Sequence, residues 1–254
     1  MTIKTDIGYC NKDDIYVRGY NLSEELIGKV DVTDMMLLSI FGKKPSENLK
    51  KMVSTLIVAT MDHGLTPSAL AARLTLLGAP EALQGAVAAG LLGAGDHFLG
   101  TMQNVAQVLQ DNIGDLQADQ TDLIEAKALE LVKDFRQRRA IIPGIGHPIH
   151  IDGDPRVPKL LGVAEELGFR GRHWELQLAI HQSAEQQVGK KLPMNAAGAV
   201  GATVSDMGFK PVVAKAFALI GRCSGLVAHL IEEQETPIGQ ELWDLVLDAE
   251  QKPI

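Results

Sequence analysis

Aromatic side chains are scarce in this sequence: they make up 4% of the 254 residues, whereas 46% of the residues are hydrophobic. A core with so few rings must be built from aliphatic side chains and alanine. The 25 glycines and the many alanines allow helices to approach one another closely. A chain of this length suits one large domain, or two smaller domains that share a core.

Cysteine is nearly absent as well. Cys10 and Cys223 are the only two, and their spacing fits neither a disulfide framework nor a set of metal ligands, so we expect a reduced, cytoplasmic setting. The first ten residues, MTIKTDIGYC, lack the apolar core of a signal peptide. The longest uncharged apolar run, around residues 85–95, is too short to span a bilayer. We therefore expect no membrane association, and we interpret this run as a buried helix.

The chain also lacks an excess of basic residues. Its 24 Lys and Arg against 32 Asp and Glu give a net charge of −8, which argues against nucleic acid as a partner because phosphate contacts need a basic surface. A small anionic ligand is not excluded, since a few local arginines can hold one. No GxxxxGKS or GxxxxGKT nucleotide loop occurs. The histidines and carboxylates lack the close spacing of metal ligands, so we expect no metal.

Beyond the first thirty or so residues, hydrophobic residues recur with a helical period, which predicts a mostly α-helical protein with about three residues in five in helices. Residues 1–30 contain short β-like stretches between turns. Capping residues mark several helix starts: Asp31 or Thr33 for the first helix, Thr66 with Pro67 for the third, and Pro80 for the fourth. Further helices are predicted at 98–112, 121–139, 156–168, 172–192, 195–208, 210–234 and 241–250.

One loop stands out among the polar segments. Residues 141–156, IIPGIGHPIHIDGDPR, here called the glycine loop, combine proline and glycine with two histidines and end in Arg156. Proline and glycine fix an exposed backbone, and binding residues are often placed on such loops. The glycine loop is therefore either an ordinary connection or part of a site for an anionic substrate.

Two other glycine-flanked clusters allow a structural and a functional interpretation. The segment Asp62-His63-Gly64 ends an apolar helix, where a histidine either caps the helix, favoured by the helix dipole, or belongs to a site. The segment GAGDHFLG, residues 93–100, either forms a turn between helices with an aspartate cap or contributes polar side chains to a site.

Arg222 lies inside an apolar helical stretch, ALIGRCSGLVAHL. Arginine is rarely buried without a partner. The positions three and four residues away hold no acidic residue, being Ala218, Leu219, Gly225 and Leu226, so a pair within the helix is excluded. The partner is therefore a distant carboxylate of the protein or an anionic ligand.

Four segments, taken in this order, resemble the citrate synthase superfamily: DHGLTPSALAAR, GAGDHFLG, PGIGH followed by DPR, and IGRCSGLVAHLIEE. The likeness is greatest to the short citryl-CoA lyase branch and to the C-terminal module of ATP-citrate lyase, and it extends from about Tyr16 to the C-terminus. The resemblance implies an all-α fold, with a large domain at 1–100 and 206–254 and a smaller domain at 101–205 that closes over the substrate. It also implies a homo-oligomer, dimeric or larger.

The resemblance implies roles for four residues. His147 and His63 would be catalytic. His147 would contact the hydroxyl or carbonyl oxygen of the substrate, where it could stabilise the alkoxide or exchange a proton with it. His63 would help to hold the carboxylated part of the substrate. Arg156 and Arg222 would bind substrate carboxylates.

The same resemblance implies how coenzyme A is bound. The thioester arm would run beside Gly144, Ile145 and Gly146, where missing side chains let a ligand approach. Asp96 and His97 would be further substrate-binding residues. Coenzyme A would be present as part of the substrate, and no permanently bound cofactor is expected.

Three positions depart from the family pattern. Phe98 stands where citrate synthases have the histidine of GPLHGG, which favours the lyase branch. Ala197 stands where the pattern NVDG has an aspartate that handles the methyl or enolate proton of the acyl-CoA, and alanine cannot transfer a proton. Gln240 stands where an arginine would reach the partner subunit's site.

We therefore expect a carbon–carbon lyase that cleaves a carboxylated 3-hydroxyacyl-CoA, similar to citryl-CoA, into an acyl-CoA and a 2-oxo acid. Such an enzyme needs another acid in place of Ala197, for which Asp96, His97, His150 or a water are candidates. The missing aspartate leaves two alternatives: a pseudoenzyme that binds CoA thioesters, or a synthase that runs the reverse condensation.

Overall fold

The computed structural model describes residues 4–250 and confirms a mostly helical protein, with 66% of the residues in helices. Within these residues the chain forms eleven α-helices: α1 Val32–Phe41, α2 Glu47–Met61, α3 Pro67–Gly78, α4 Leu83–Leu92, α5 Gly100–Ile113, α6 Thr121–Gln137, α7 Arg156–Glu166, α8 Arg172–Val188, α9 Ala196–Asp206, α10 Pro211–Glu235 and α11 Gly239–Glu250.

The strands of the described residues form one small antiparallel sheet near the N-terminus, in the order β1-β2-β3. β1 is Gly8–Cys10, β2 is Ile15–Val17 and β3 is Tyr20–Asn21. Tyr9 pairs with Tyr16 across β1 and β2, and their rings stack with 4.9 Å between centroids. These strands confirm the β-like stretches predicted from the sequence.

The chain divides into two compact units, Met1–Thr55 and Leu56–Ile254. In the first unit, Asp31 is the cap of α1 and forms a capping box with Asp34. The Lys50 ammonium of α2 lies 2.8 Å from the first carboxylate and 2.7 Å from the second, which ties the start of α1 to α2. The large and small domains inferred from the family resemblance stay a prediction.

Two helix starts in the second unit were predicted from their caps, and the structure agrees with one of them. α3 begins at Pro67, directly after its N-cap Thr66, as predicted. The predicted start of α4 at Pro80 is wrong, and the helix begins at Leu83. The reason is local, because residues 79–82 first form a turn that is closed by a backbone hydrogen bond.

α10 is the central helix of the second unit and packs against α3, α4, α5 and α9. Its approach to the last turns of α2 depends on two glycines spaced four residues apart. A side-chain carbon at Gly225 would lie 2.0 Å from the Met61 carbonyl oxygen, and one at Gly221 would lie 2.7 Å from the Ile57 carbonyl oxygen. Because a larger residue does not fit, Arg222 on this part of α10 is brought close to the residues that follow α2.

α9 is built from small residues and is buried from Ala196 to Ser205, in agreement with the close helix packing that the glycine and alanine content allows. Its first turn lies against the glycine loop. A side-chain carbon at Gly198 would lie 3.1 Å from the Gly144 carbonyl oxygen. The helix therefore offers the loop a backbone surface with no side chain between them.

One helix of the described residues is long and apolar enough to cross a membrane: α10, with 25 residues and a mean hydropathy of 1.4 over its most apolar part. Of that part, 39% is buried inside this fold, and the helix carries two buried charged residues, Arg222 and Glu233. A central helix packed on several others meets the same criterion of length and composition. The absence of membrane association stays a prediction.

A buried ion pair joins α3 to α10 and to the start of α11. The Arg73 guanidinium, whose side chain is 2% exposed, donates a 2.6 Å hydrogen bond to Glu233, whose side chain is 5% exposed. The other oxygen of Glu233 accepts hydrogen bonds from the amides of Ile238 and Gly239. Since both charges are out of water, each depends on the other for compensation.

We expect Arg73→Met to lower the free energy of unfolding by about 3–5 kcal/mol, because the change leaves the Glu233 carboxylate buried without its partner. Urea denaturation followed by circular dichroism measures the loss. The matched control is Lys127→Met, which removes an exposed pair with Glu130 and should cost less than about 1 kcal/mol. Equal small losses in both variants would contradict the assignment.

Candidate active site

His63 lies in the turn between α2 and α3. The turn is closed by a 2.8 Å hydrogen bond from the Gly64 amide to the Asp62 carboxylate, and Gly64 has a φ of +74°, a value that favours glycine. The Nε2 atom of His63 lies 3.2 Å from Nε2 of His150 in the glycine loop. The ring is therefore engaged with another side chain and does not cap α2.

The glycine loop is anchored on the N-terminal end of α9. The Gly146 amide donates to the Pro193 carbonyl at 2.7 Å, and the Asn195 side-chain amide donates to the Gly146 carbonyl at 2.7 Å. The Asn195 backbone amide donates to the Gly144 carbonyl at 3.0 Å. These bonds fix the point from which the His147 side chain leaves the loop.

Two backbone amides determine which ring nitrogen of His147 carries the hydrogen. Its Nδ1 atom accepts hydrogen bonds from the amides of Ile149 and His150, at 3.1 and 2.9 Å. A neutral imidazole that accepts at one nitrogen carries its hydrogen on the other, so Nε2 is a donor. His147 can donate a hydrogen bond to a substrate oxygen, but it has no free lone pair with which to take a proton.

Three imidazole rings form a cluster. Their centroids are 5.5 Å apart for His63 and His147, 5.4 Å for His63 and His150, and 4.5 Å for His147 and His150. The 3.2 Å contact between the Nε2 atoms of His63 and His150 needs one ring to donate and the other to accept. The two rings therefore share one hydrogen bond, in which one Nε2 atom carries the hydrogen and the other accepts it.

Arg156 is bound to Asp154 through two parallel hydrogen bonds. Nε donates to one carboxylate oxygen at 2.9 Å and Nη2 to the other at 2.8 Å, while Nη1 donates to the Ala59 carbonyl at 3.3 Å. Burial alone would raise the pKa of Asp154, but hydrogen bonds from Arg156 and from the Ala196 amide lower the pKa to about 2. The carboxylate is ionised at neutral pH and holds the arginine in place.

Arg222 is held differently. Its side chain is 8% exposed, and Nη1 lies 3.9 Å from the Asp62 carboxylate, which is too long for a hydrogen bond. In the part of the chain that the structure describes, this Nη1 has no hydrogen-bond partner. Of the two partners expected from the sequence, the distant carboxylate is present, but it does not satisfy the guanidinium. A buried cation with an unpaired N–H can bind an acid group.

Asp62 is itself held by His229, which in turn bonds to Arg73 of α3. The Arg73 guanidinium donates to Nδ1 of His229 at 2.9 Å, so Nε2 of this ring donates to Asp62 at 2.8 Å. Arg73 also contacts Glu232. The negative charge beside Arg222 is thus positioned by residues of α3 and α10.

Burial and the neighbouring guanidinium groups keep two of the imidazoles neutral. Burial lowers the pKa of His63, and the charge of Arg156 lowers it further. Burial also lowers the pKa of His147, although the Asp154 carboxylate acts in the opposite direction. With Arg222 close enough to act on His63 as well, the site has two cationic groups around neutral rings.

The three imidazoles also place nitrogen atoms within 4.8 Å of one another, close enough to share one transition-metal ion. The sequence did not indicate this cluster, because His63 is 87 residues from His150. The donor set fits a metal poorly, since Arg156 and Arg222 oppose a dication and the backbone already uses Nδ1 of His147. The expectation that no metal is bound stays a prediction.

Asp96 and His97 lie on an exposed π-helical turn, Gly95–Leu99. The Asp96 carboxylate pairs with the Lys215 ammonium at 3.1 Å and caps no helix. Among the described residues, neither Asp96 nor His97 forms a hydrogen bond with a ring of the imidazole cluster. Their role in substrate binding stays a prediction.

The three residues expected beside coenzyme A have different surroundings. A side-chain carbon at Gly144 would lie 2.8 Å from both the Gly198 Cα and the Gln177 amide nitrogen, so the fold itself requires this glycine. Gly146, with a φ of +94°, has open space where a side chain would be. Ile145 forms an isolated β-bridge that helps to anchor the loop. Contact with coenzyme A stays a prediction for all three.

Two of the positions that depart from the family pattern lie at helix starts. Ala197 is in the first turn of α9 and 7% exposed, next to the residues that anchor the glycine loop. Gln240 is in the first turn of α11, where its side-chain amide donates to Asp244 at 2.8 Å. Neither side chain supplies an ionisable group.

Sequence reasoning missed several supporting residues. Asp154 belongs to the DPR motif, and its place two residues before Arg156 was a usable signal. His229 lies seven residues after Arg222, two turns along the same helix and therefore on the same face. Asn195 was expected only as part of a helix, and its bond to the glycine loop had no signal in the sequence.

The comparisons with known proteins agree on one family. The sequence model of "Citrate synthase, C-terminal domain" matches residues 16–240. The citryl-CoA lyase of Hydrogenobacter thermophilus is similar in structure, with a TM-score of 0.81 and 33% identity, covering 93% of this chain and 88% of that one. The ATP citrate lyase of Methanosaeta concilii in complex with (3S)-citryl-CoA has a TM-score of 0.76 and 22% identity, covering 92% of this chain and 39% of that one.

A curated relative, the probable ATP-citrate synthase of Dictyostelium discoideum, is 23% identical over 244 residues. This match covers 89% of the chain but spans only 38% of the relative. At such identity the two ATP-dependent relatives are evidence for the fold. The match of the family model over residues 16–240, together with the near full-length similarity to citryl-CoA lyase, shows that the chain belongs to the citrate synthase family.

Proposed function

We propose that the protein is a carbon–carbon lyase that cleaves a carboxylated 3-hydroxyacyl-CoA of the citryl-CoA type into an acyl-CoA and a 2-oxo acid. The likeness to citryl-CoA lyase and to an ATP citrate lyase that binds citryl-CoA supports the broader kind of reaction, the making or breaking of such thioesters. A shared fold does not establish a reaction, so the proposal rests on the site.

The observation that carries the proposal is Arg222. Its guanidinium is buried, and Nη1 has no hydrogen-bond partner among the described residues. The nearest carboxylate, Asp62, is 3.9 Å away. A buried, unsatisfied cation is costly unless a ligand compensates it, and a carboxylate matches a guanidinium in charge and shape.

Arg156 would have a smaller share in binding. Three of its N–H groups already bond to Asp154 and to the Ala59 carbonyl, which leaves two for a ligand. A substrate carboxylate would therefore be held mainly by Arg222, with Arg156 as the second contact.

His147 is suited to contact the hydroxyl oxygen of the substrate. As the carbon–carbon bond of a 3-hydroxyacyl-CoA cleaves, negative charge develops on the former hydroxyl oxygen. The Nε2–H donor of His147, fixed by two backbone amides, would stabilise this charge, and one such donor typically contributes on the order of 10²–10³ in rate. Of the two roles inferred from the family, stabilisation fits the geometry and proton exchange does not.

Ala197 supports a second candidate, a pseudoenzyme that binds a CoA thioester without cleaving it. The position of the family acid carries no ionisable group, and loss of a general acid typically costs on the order of 10²–10⁴ in rate. The reverse condensation is a third possibility, since a catalyst accelerates both directions of a reaction.

One experiment separates the three candidates. The protein is incubated with citryl-CoA, citramalyl-CoA and related 3-hydroxyacyl-CoAs, and acyl-CoA and 2-oxo acid are measured together. Release of both products supports the lyase. Tight binding of coenzyme A with no cleavage across the panel supports the pseudoenzyme. Thiol release from acetyl-CoA in the presence of a 2-oxo acid identifies the synthase.

We expect Arg222→Gln to raise the KM for the carboxylated substrate by about 10- to 100-fold, because a hydrogen bond to a charged group contributes about 1.5–3 kcal/mol. Steady-state kinetics measures the change. The control is Arg138→Gln, on an exposed arginine that pairs with Asp134, which should leave KM unchanged. An Arg222→Gln enzyme with normal KM would remove this arginine from the binding site.

We infer that His63, a neutral ring at the site, accepts a proton during the reaction. The value of kcat/KM should then fall as the pH drops below the lowered pKa of His63, because the protonated ring can no longer accept a proton. Burial lowers this pKa below the ordinary 6.5, Arg156, His150 and Arg222 lower it further, and only Asp154 opposes them. The midpoint of the acid limb should therefore lie below 6.5. It should move to higher pH in Arg156→Gln, and a wild-type midpoint above 6.5 would contradict the assignment.

Restoring a carboxyl group at the family position should increase activity. Ala197→Asp is expected to raise the rate of citryl-CoA cleavage, by up to on the order of 10²–10⁴ if the new acid protonates the enolate. The control Ala197→Asn has nearly the same shape and no acid. If the two variants behave alike, the pocket has diverged and Ala197 does not mark a simple loss.

A further inference from the structure

The proposed reaction needs two proton transfers. A base must take the proton of the substrate hydroxyl, and an acid must protonate the enolate carbon of the departing acyl-CoA. The residue at the family position of the acid, Ala197, can do neither.

The other groups of the site are unsuited to these transfers. His147 has its Nδ1 lone pair engaged by two backbone amides, so its role is that of a donor. Asp154 has a pKa of about 2 and is bonded to Arg156. Asp62 is bonded to His229 and to a backbone amide. The pair formed by His63 and His150 is therefore the group of this site that is left to carry the two proton transfers.

The geometry of this pair prepares it for both transfers at once. The two Nε2 atoms are 3.2 Å apart, so one ring is the donor in that bond and the other the acceptor. In a neutral pair the donor ring then has a lone pair on its Nδ1, and the acceptor ring has a hydrogen on its Nδ1. Within residues 4–250 neither ring makes another hydrogen bond, so the two Nδ1 atoms are a free base and a free acid.

We propose that His63 and His150 act as a two-imidazole proton relay in the cleavage reaction, an inference that rests on the proposed function. The Nδ1 lone pair of one ring takes the hydroxyl proton. The Nε2 proton of that ring passes to Nε2 of the other ring, whose Nδ1 proton goes to the enolate carbon. The electrons of the broken carbon–carbon bond form the enolate, and the hydroxyl oxygen becomes the carbonyl of the 2-oxo acid.

A pair of rings has an electrostatic advantage over a single histidine at this site. One imidazole that kept the hydroxyl proton would become a cation beside Arg156 and Arg222, whose charges already act on His63. The relay takes in one proton and releases one, so neither ring holds a full positive charge after the transfer. Both rings end as the opposite tautomer, and proton exchange with water resets them because both are partly exposed.

The test uses the full chain and the substrate of the panel that the wild type cleaves fastest. In His150→Gln and His63→Gln we expect kcat to fall by on the order of 10²–10⁴. In His150→Gln, KM should change little. Imidazole added to His150→Ala should restore part of the rate, which a purely structural role of His150 would not allow. The control is His181→Gln, on a ring of α8 that bonds to the Leu192 carbonyl, which should keep wild-type activity.

Each result decides the matter. If His150→Gln keeps kcat within about twofold of the wild type, the relay is wrong while the proposed function stands. If His150→Gln, His150→Ala and His150→Phe all lose activity and imidazole restores none of it, His150 is a positioning residue and the relay is also wrong. If the wild type cleaves no substrate of the panel, the proposed function fails and the relay fails with it.

Discussion

The packing of the glycine loop on the N-terminal end of α9 is the constraint on which the site depends. Backbone lies directly on backbone there, since a side-chain carbon at Gly144 would come within 2.8 Å of Gly198. Asn195 then bonds the loop from both its backbone and its side chain. The amide of Ala196 adds a hydrogen bond to Asp154. The N-terminal end of α9 thus sets the positions of His147 and of Asp154, the aspartate that orients Arg156.

The two arginines of the site differ in how well their charges are compensated, and this difference makes the site suited to an acid group. Arg156 is neutralised by a bidentate carboxylate, whereas Arg222 has its nearest carboxylate at 3.9 Å. The chain as a whole has a net charge of −8, so attraction for an acid is a local property of this site. Burial and these two cations together lower the pKa of His63, which makes the ring available as a base near neutral pH.

The helices could be predicted where their signals lie within a few residues. The cap and proline at Thr66-Pro67 act within one turn and were predicted, and Asp31 was one of the two cap candidates for α1. Pro80 misled because a proline before an apolar run starts a turn as readily as a helix. The family followed from motifs, yet those motifs left two interpretations open for His63 and for Arg222. The distances that decide between them join residues about 90 to 160 positions apart.

The sequence by itself determined the helical period, the cap of α3, the family and the types of residue that can carry the chemistry, because these are properties of neighbouring residues and of their order. Only the tertiary structure decided which nitrogen of His147 carries the proton, that His63 meets His150, and that Arg222 keeps an unpaired N–H group. These are hydrogen-bonding facts, and a hydrogen bond depends on distances below about 3.5 Å. Such distances arise from the packing of α2, α9 and α10 with the glycine loop, which no local pattern specifies.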